Sequence, residues 1–216
     1  MLEYLLERDK MDTKDIPNLG RMIHAGEFTY LHEAVLEAKP KLVIESGTFL
    51  GTGSTLAIAT ALLKMTRGIL WTYELNEIFY KKAVDFYTSK FENFGFIKFY
   101  NMNFVDAVKR FDYPTYRMID FVFLDGGDED FDGAIKDIKA EDSENLLSFQ
   151  LMESKLHIGT HVLLHDWNFG RGLFIQNYLR GKDFRGWCIK EQFNDHNGFV
   201  HLIKGVDARG YIGESS

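Results

Sequence analysis

A short apolar run that stops at a carboxylate and continues into a glycine-rich turn is the most constraining feature of this sequence. The unbroken run at 42–44, followed by Glu45, is typical of a strand that is covered on both faces. The glycines that follow are Gly47, Gly51 and Gly53. They allow tight turning and close approach of the backbone to a ligand. The pattern predicts a helix over 55–64 that Ser54 can cap, and it fits either a ligand loop or an ordinary strand-to-helix turn.

A second carboxylate follows the next predicted strand. Residues 68–73 indicate that strand, and Glu74 ends it just before Asn76, which is a suitable cap for a helix over 77–94. An acidic residue about 20 positions beyond a glycine loop is where a bound nucleoside presents its ribose hydroxyls. The alternative is a solvent-facing Glu74 that interacts with the dipole of the helix.

The rest of the chain alternates between strand and helix. Predicted elements are strands over 97–100, 119–124 and 160–164, and helices over 105–111 and, with breaks, 131–156. Two strand-like runs, 187–193 and 198–203, are joined by a segment with an Asn-Gly turn signal at 197–198. This order predicts an α/β fold, with a doubly wound, mostly parallel seven-stranded sheet, helices on both faces and a C-terminal antiparallel hairpin.

Composition fits one compact domain. The chain has 216 residues, 45% of them hydrophobic, and shows no linker or repeat. Its single cysteine, Cys188, excludes an internal disulfide and favours a reducing compartment. The N-terminal residues do not resemble a signal peptide, so we expect a cytoplasmic protein without a membrane anchor. The net charge of −7, with no basic stripe, gives no reason to expect a nucleic-acid partner.

Three strand-end motifs carry a family resemblance. They are Glu-Ser-Gly-x-x-x-Gly-x-Gly-Ser at 45–54, Tyr-Glu-Leu-Asn at 73–76 and Phe-Val-Phe-Leu-Asp-Gly at 121–126. Together they resemble class I S-adenosylmethionine (SAM)-dependent methyltransferases, most closely the catechol-type small-molecule O-methyltransferases. The likeness runs over 25–204 and includes the C-terminal hairpin. It implies an N-terminal helical or lid segment at 1–30, a methyltransferase domain at 31–208 and a tail at 209–216.

The resemblance implies a cofactor wall made by the ends of the first strands. Glu45 would face the methionine end of SAM, the glycine loop would wrap it, and Glu74 would hold the ribose. The implied cofactor-binding residues are Glu45, Gly47, Thr48, Phe49, Gly51, Ser54, Glu74, Asn103, Phe104 and Asp125. Phe104 also fits a position in the core.

Two aspartates follow strands that the expected topology makes neighbours. Asp125 and Asp166 would converge there, and two such carboxylates need a cation or a shared proton. In the catechol-type family, such a pair and a following asparagine bind Mg²⁺, which orients the acceptor hydroxyl. Here Trp167 follows Asp166, and Asn168 comes one place later. Asp125, Asp166 and Asn168 are therefore the implied ligands of Mg²⁺ or another divalent cation.

The general base is the main departure from the family pattern. The family's catalytic lysine is replaced by Asp128. The base candidate is His165, whose ordinary pKa near 6.5 suits proton removal. Strand alternation argues against it, because adjacent side chains point to opposite faces. The alternative is a structural, hydrogen-bonded His165. The catalytic candidates are Asp125, Asp166 and His165.

The sequence therefore predicts a SAM-dependent methyltransferase that acts on an oxygen of a small-molecule acceptor. A nicotinamide-dependent oxidoreductase fits less well, because its Gly-x-Gly-x-x-Gly spacing is absent from the loop. A non-catalytic cofactor-binding or scaffold protein and an aminopropyltransferase-like enzyme stay open. The acceptor and the question of a homodimer also stay open.

Overall fold

The computed structural model describes residues 25–126, 139–168, 170–194 and 198–205, with the backbone alone at residues 25 and 171. The chain divides into two compact units, the first ending at Asn103 and the second beginning at Phe104. Within the described ranges, none of the helices combines the length and apolar character that crossing a bilayer requires.

The first unit alternates helices with parallel strands. Its elements are α1 (Ala25–Ala38), β1 (Leu42–Ser46), α2 (Ser54–Met65), β2 (Ile69–Glu74), α3 (Glu77–Lys90) and β3 (Ile97–Asn101). Every residue of β1 is buried, as expected for a strand covered on both faces. β2 pairs in parallel with β1 on one side and with β3 on the other. This register aligns Ser46 with Tyr73 and Glu74 with Asn101, so the strands end at one edge.

The second unit combines parallel strands with an antiparallel hairpin. Its elements are α4 (Phe104–Arg110), α5 (Tyr113–Met118), β4 (Ile119–Leu124), a 3₁₀ turn (Ala140–Asp142), α6 (Glu144–Glu153), β5 (His161–His165), α7 (Gly170–Arg180), β6 (Trp187–Phe193) and β7 (Phe199–Lys204). β4 and β5 are parallel, with Leu124 opposite Leu164. β7 runs antiparallel to both β5 and β6.

The predicted fold class is confirmed. The strands make up a seven-stranded, mostly parallel sheet, ordered β3-β2-β1 in the first unit and β4-β5-β7-β6 in the second. The hairpin is present, and Gly198 has a φ of 85° where its predicted turn ends, although Asn197 lies outside the described residues. The domain boundaries after residues 30 and 208 stay predictions.

The two predicted helix caps have opposite outcomes. The predicted Asn76 cap is confirmed, because its side chain accepts from the amides of Ile78 and Phe79. The predicted Ser54 cap is wrong, because Gly53 occupies the cap position without a side-chain hydrogen bond and Ser54 is the first helical residue.

The predicted helix over 77–94 is four residues too long (94 − 90), since α3 ends at Lys90. Phe91 is already extended, yet its ring stacks on Tyr87 with the ring centroids 5.1 Å apart. Phe94 also packs on that tyrosine from the loop, at 6.4 Å. These apolar residues at helical spacing therefore pack against Tyr87 without being helical.

Glu153, the last residue of α6, joins several elements of the second unit. Its carboxylate accepts hydrogen bonds from Tyr178 at 2.6 Å, Lys182 at 3.1 Å and the Trp187 indole at 3.3 Å. Its carbonyl oxygen accepts from Lys204 at 2.9 Å. Burial alone would raise the pKa of Glu153, but the hydrogen bonds and the Lys182 charge together lower it below its ordinary value. This carboxylate therefore stabilises the fold in its ionised form.

We expect Glu153→Gln to lower the free energy of unfolding by about 2 kcal/mol at pH 7, because charge-assisted hydrogen bonds are lost. A carboxylate with a depressed folded-state pKa stabilises above its unfolded pKa, and this contribution is lost as the pH falls through the folded pKa. The difference between wild type and variant should therefore shrink below about pH 4.5. Urea unfolding from pH 3 to 8 measures it. Glu141→Gln, at an exposed carboxylate, is the control, and equal stabilities at pH 7 would contradict the role of Glu153.

Candidate active site

The segment between β1 and α2 folds back onto the end of β2. The amides of Gly47 and Thr48 both donate to the Tyr73 carbonyl oxygen, at 3.0 and 3.2 Å. Gly47 and Gly51 have φ values of 96° and 73°, a conformation that favours glycine. At Gly51 a Cβ atom would lie 3.0 Å from Cε2 of Tyr87. The predicted ligand loop is thus a tight turn that depends on glycine.

Glu45 connects this loop to its neighbouring elements. The carboxylate is fully buried, and its Oε2 accepts from the hydroxyls of Thr55 at 2.8 Å and Thr72 at 2.7 Å. The Thr72 hydroxyl is also hydrogen-bonded to the hydroxyl of Thr48 in the loop. These bonds tie β1, β2 and α2 together. Glu45 therefore braces the loop, and its direct contact with the methionine end of SAM stays a prediction.

Tyr87 on α3 is a support of the loop that the sequence analysis missed. Its buried hydroxyl donates to the Gly51 carbonyl oxygen at 2.9 Å. Burial, and then the charge of Glu45, raises the pKa of Tyr87 well above its ordinary value, which keeps the phenol protonated as a donor. Ala83 and Tyr87 are four residues apart on one helical face, and both approach Gly51. No local pattern in the sequence specifies their contact with Gly51.

Glu74 lies at the end of β2, within hydrogen-bonding distance of the loop. Its Oε2 accepts from the Phe49 amide and its Oε1 from the Asn76 amide, both at 2.8 Å. Burial raises the pKa of Glu74, and these backbone hydrogen bonds act in the opposite direction. A carboxylate has about four acceptor positions, so both oxygens can accept a further hydroxyl. The alternative of a solvent-facing Glu74 does not fit, because the side chain is half-buried and its Oε2 accepts from the Phe49 amide in the loop.

The neighbouring residues also fix this strand end. The Asn101 side chain donates to the carbonyl oxygens of Glu74 and Leu75, at 2.8 and 3.0 Å. Leu75 is 63% exposed. Neither Asn101 nor Leu75 has a role among the sequence predictions, although both are adjacent to predicted strand ends.

Asn103 and Phe104 follow β3. Asn103 is half-buried, whereas Phe104 is the first residue of α4 and only 6% exposed. The core alternative for Phe104 agrees with this burial. The contacts of both residues with an adenine ring, and the contact of Ser54 with the cofactor, stay predictions.

Asp125, His165 and Asp166 form a cluster in the second unit. His165 Nδ1 lies 3.0 Å from Oδ1 of Asp125 and 3.2 Å from Oδ1 of Asp166. The register of Leu124 with Leu164 places Asp125 and His165 side by side at the strand ends. Each of the three side chains offers one atom that could bind a metal ion, and these three atoms all lie within 4.8 Å of one another. The predicted convergence of the two aspartates is therefore observed.

The prediction that strand alternation separates His165 from Asp166 is wrong. Asp166 does not continue the strand, because β5 ends at His165 and Asp166 has a φ of 54°. This left-handed residue turns the chain, so the two side chains meet instead of pointing to opposite faces.

The residues after Asp166 hold this turn in place. Trp167 is 1% exposed, its amide donates to the Gly198 carbonyl oxygen at 3.1 Å, and its own carbonyl oxygen accepts from the Gln176 side chain at 3.2 Å. The exposed Asn168 donates to the Asn194 side chain at 3.4 Å. The role of Asn168 as a metal ligand stays a prediction, and Asp128 lies outside the described residues.

Comparison with known proteins supports the fold at low sequence identity. Neither the protein-family models nor the curated proteins include a match. Among solved structures, the chain is similar to the O-methyltransferase TomG from Streptomyces achromogenes, which is involved in tomaymycin synthesis and was crystallised with SAM. The identity is 16%, the coverage is 94% of this chain and 95% of that one, and the TM-score is 0.67.

Two further structures agree. An O-methyltransferase from Bacillus cereus, in complex with S-adenosylhomocysteine (SAH), is 16% identical over 94% of this chain and 90% of that one, with a TM-score of 0.66. A methyltransferase from Podospora anserina, also bound to SAH, is 10% identical over 94% of this chain and 93% of that one, with a TM-score of 0.64. The resemblance drawn from the sequence motifs is thereby confirmed for the fold.

Proposed function

We propose that this protein is a SAM-dependent methyltransferase that methylates an oxygen atom of a small-molecule acceptor. The observation that carries the proposal is the glycine loop, joined to Glu74 through the Phe49 amide at 2.8 Å, in a chain with the fold of structures that hold SAM or SAH. A rigid carboxylate at the end of a second parallel strand suits a ribose diol.

The first unit would bind the cofactor. Each Glu74 oxygen would accept one ribose hydroxyl, in a charge-assisted hydrogen bond of roughly 1.5–3 kcal/mol. The loop backbone around Gly47 and Gly51 would approach the methionine end. Carbonyl oxygens and the nearby Glu45 charge suit the cationic ammonium and sulfonium groups, whereas a pyrophosphate would prefer donors.

The second unit would serve the acceptor. Asp125 and Asp166 would hold a divalent cation, with Asn168 as the third oxygen ligand that the sequence predicts. His165 Nδ1 lies 3.0 Å from Oδ1 of Asp125 and 3.2 Å from Oδ1 of Asp166, so the two carboxylates converge where an ion would be held. When bound, the ion would lower the pKa of an acceptor hydroxyl.

Most of the catalysis would then be positioning. When bound, SAM would supply its methyl group to the acceptor oxygen and leave as SAH, and the hydroxyl proton would pass to solvent. The chain's part is to hold the reacting groups in line. The braces at Glu45, Tyr87 and Trp167 serve this by fixing the loop and the strand ends.

Isothermal titration calorimetry with SAM, SAH and decarboxylated SAM tests the proposal. We expect micromolar binding of SAM and SAH, and weaker binding of the decarboxylated compound. A methyl-transfer assay with catechols and other small hydroxyl compounds completes the test. Binding without turnover would favour a scaffold protein, preference for decarboxylated SAM would favour aminopropyl transfer, and no binding would contradict the proposal.

A further inference from the structure

We propose that His165 is the third protein ligand of the cluster, so that the site selects a first-row transition-metal ion over Mg²⁺. This inference rests on the metal site of the proposed function. It replaces the general-base role that the sequence suggests for His165 with a role in choosing the metal.

The position of the imidazole is the first argument. His165 Nδ1 is the atom that faces both carboxylates, at 3.0 and 3.2 Å. An ion coordinated by Asp125 and Asp166 at this place would meet that nitrogen. The three side chains are only 3 to 18% exposed, so few other conformations are open to the ring.

The chemistry of the donor set is the second argument. Mg²⁺ is a hard ion that prefers oxygen ligands, whereas imidazole suits Fe²⁺, Co²⁺, Ni²⁺ and Zn²⁺. One nitrogen and two carboxylates resemble the mixed sets that hold such ions with coordination positions left open. An all-oxygen site would discriminate less strongly between these ions and Mg²⁺.

The chain supplies its own comparison. His157 Nε2 lies 3.2 Å from Oδ1 of Asp120, and this pair has no second carboxylate among the described residues. His161 Nδ1 lies 2.8 Å from Nε2 of His201. Among the described residues, this pair does not belong to a group of three side chains that could hold a metal ion. The cluster around His165 is the group in these ranges that combines a histidine with two carboxylates.

The test compares Co²⁺ and Mg²⁺ on the full chain after chelator treatment and dialysis. Calorimetry should give Co²⁺ an affinity at least about a hundredfold higher than that of Mg²⁺. His165→Asp offers oxygen in place of nitrogen and should reduce the Co²⁺ to Mg²⁺ affinity ratio by about tenfold or more. It should also move the Co²⁺ absorption bands to longer wavelength, because a carboxylate is the weaker-field ligand. His157→Gln should change neither result.

The outcomes separate this inference from the proposed function. Equal affinities for the two ions in the wild type, or an unchanged ratio and spectrum in His165→Asp, would overturn it. If His165→Asp fails to fold, the Co²⁺ to Mg²⁺ affinity ratios of His165→Asn and of the wild type provide the same test. SAH binding measured with a chelator present reports on the cofactor site alone, so a failed metal test with intact SAH binding leaves the proposed function standing.

Discussion

Glu74→Ala should weaken SAM and SAH binding by about a hundredfold. The variant removes two expected charge-assisted hydrogen bonds to the ribose, and about 1.4 kcal/mol of binding free energy corresponds to a factor of ten. It also removes the acceptor of the Phe49 amide hydrogen bond, which is 2.8 Å long, and so releases one attachment of the glycine loop. Calorimetry with SAH measures the loss without requiring turnover.

Glu77→Ala is the matched control. Glu77 lies three residues further on, at the start of α3, and its exposed carboxylate pairs with Lys81 at 2.6 Å. Exposed pairs of this kind contribute little to stability, so SAH affinity should stay at the wild-type value. Thermal unfolding of both variants separates loss of the site from loss of the fold. If Glu74→Ala binds SAH as tightly as Glu77→Ala does, Glu74 does not hold the cofactor.

The strand ends could be predicted from the sequence because they depend on local signals. Buried parallel strands appear as unbroken apolar runs, and polar residues follow where such a strand leaves the sheet. This was enough to place Glu45, Glu74 and Asp125. Asn76 was also found, because a helix cap is a local hydrogen-bonding motif.

The braces of the site could not be predicted, because they depend on contacts between distant segments. Glu45 and Thr72 are 27 positions apart, and Tyr87 and Gly51 are 36 apart. Nothing in the sequence near either residue specifies these pairs. The same limitation explains His165, where the alternation rule fails at a single left-handed residue, Asp166.

The sequence does not predict helix α7, for a related reason. Glycine has a low helix propensity, yet Gly170 and Gly172 both belong to the first turn of this helix. At Gly172 a Cβ atom would lie 2.5 Å from the Asp166 carbonyl oxygen and 2.7 Å from that of His165. The glycine is therefore required by close packing of the helix against the end of β5, which only the folded chain reveals.

Gly172→Ala should accordingly destabilise the protein by about 3 kcal/mol, since the new methyl group would meet backbone atoms that cannot rotate away. Relief of this clash must move α7 or the segment at 165–166, and either movement disturbs the cluster of Asp125, His165 and Asp166. We therefore expect Co²⁺ affinity to fall by about tenfold or more in the folded variant.

The control for this prediction is Gly181→Ala, just after the same helix, where a Cβ atom would lie at an ordinary 3.5 Å from its nearest neighbours. That change should be neutral or slightly stabilising, because alanine restricts the unfolded chain. Urea unfolding and Co²⁺ titration of both variants provide the measurement. Wild-type stability and metal affinity in Gly172→Ala would show that α7 does not fix the end of β5. Loss of both properties in this variant, but not in Gly181→Ala, would show that the helix supports the metal site.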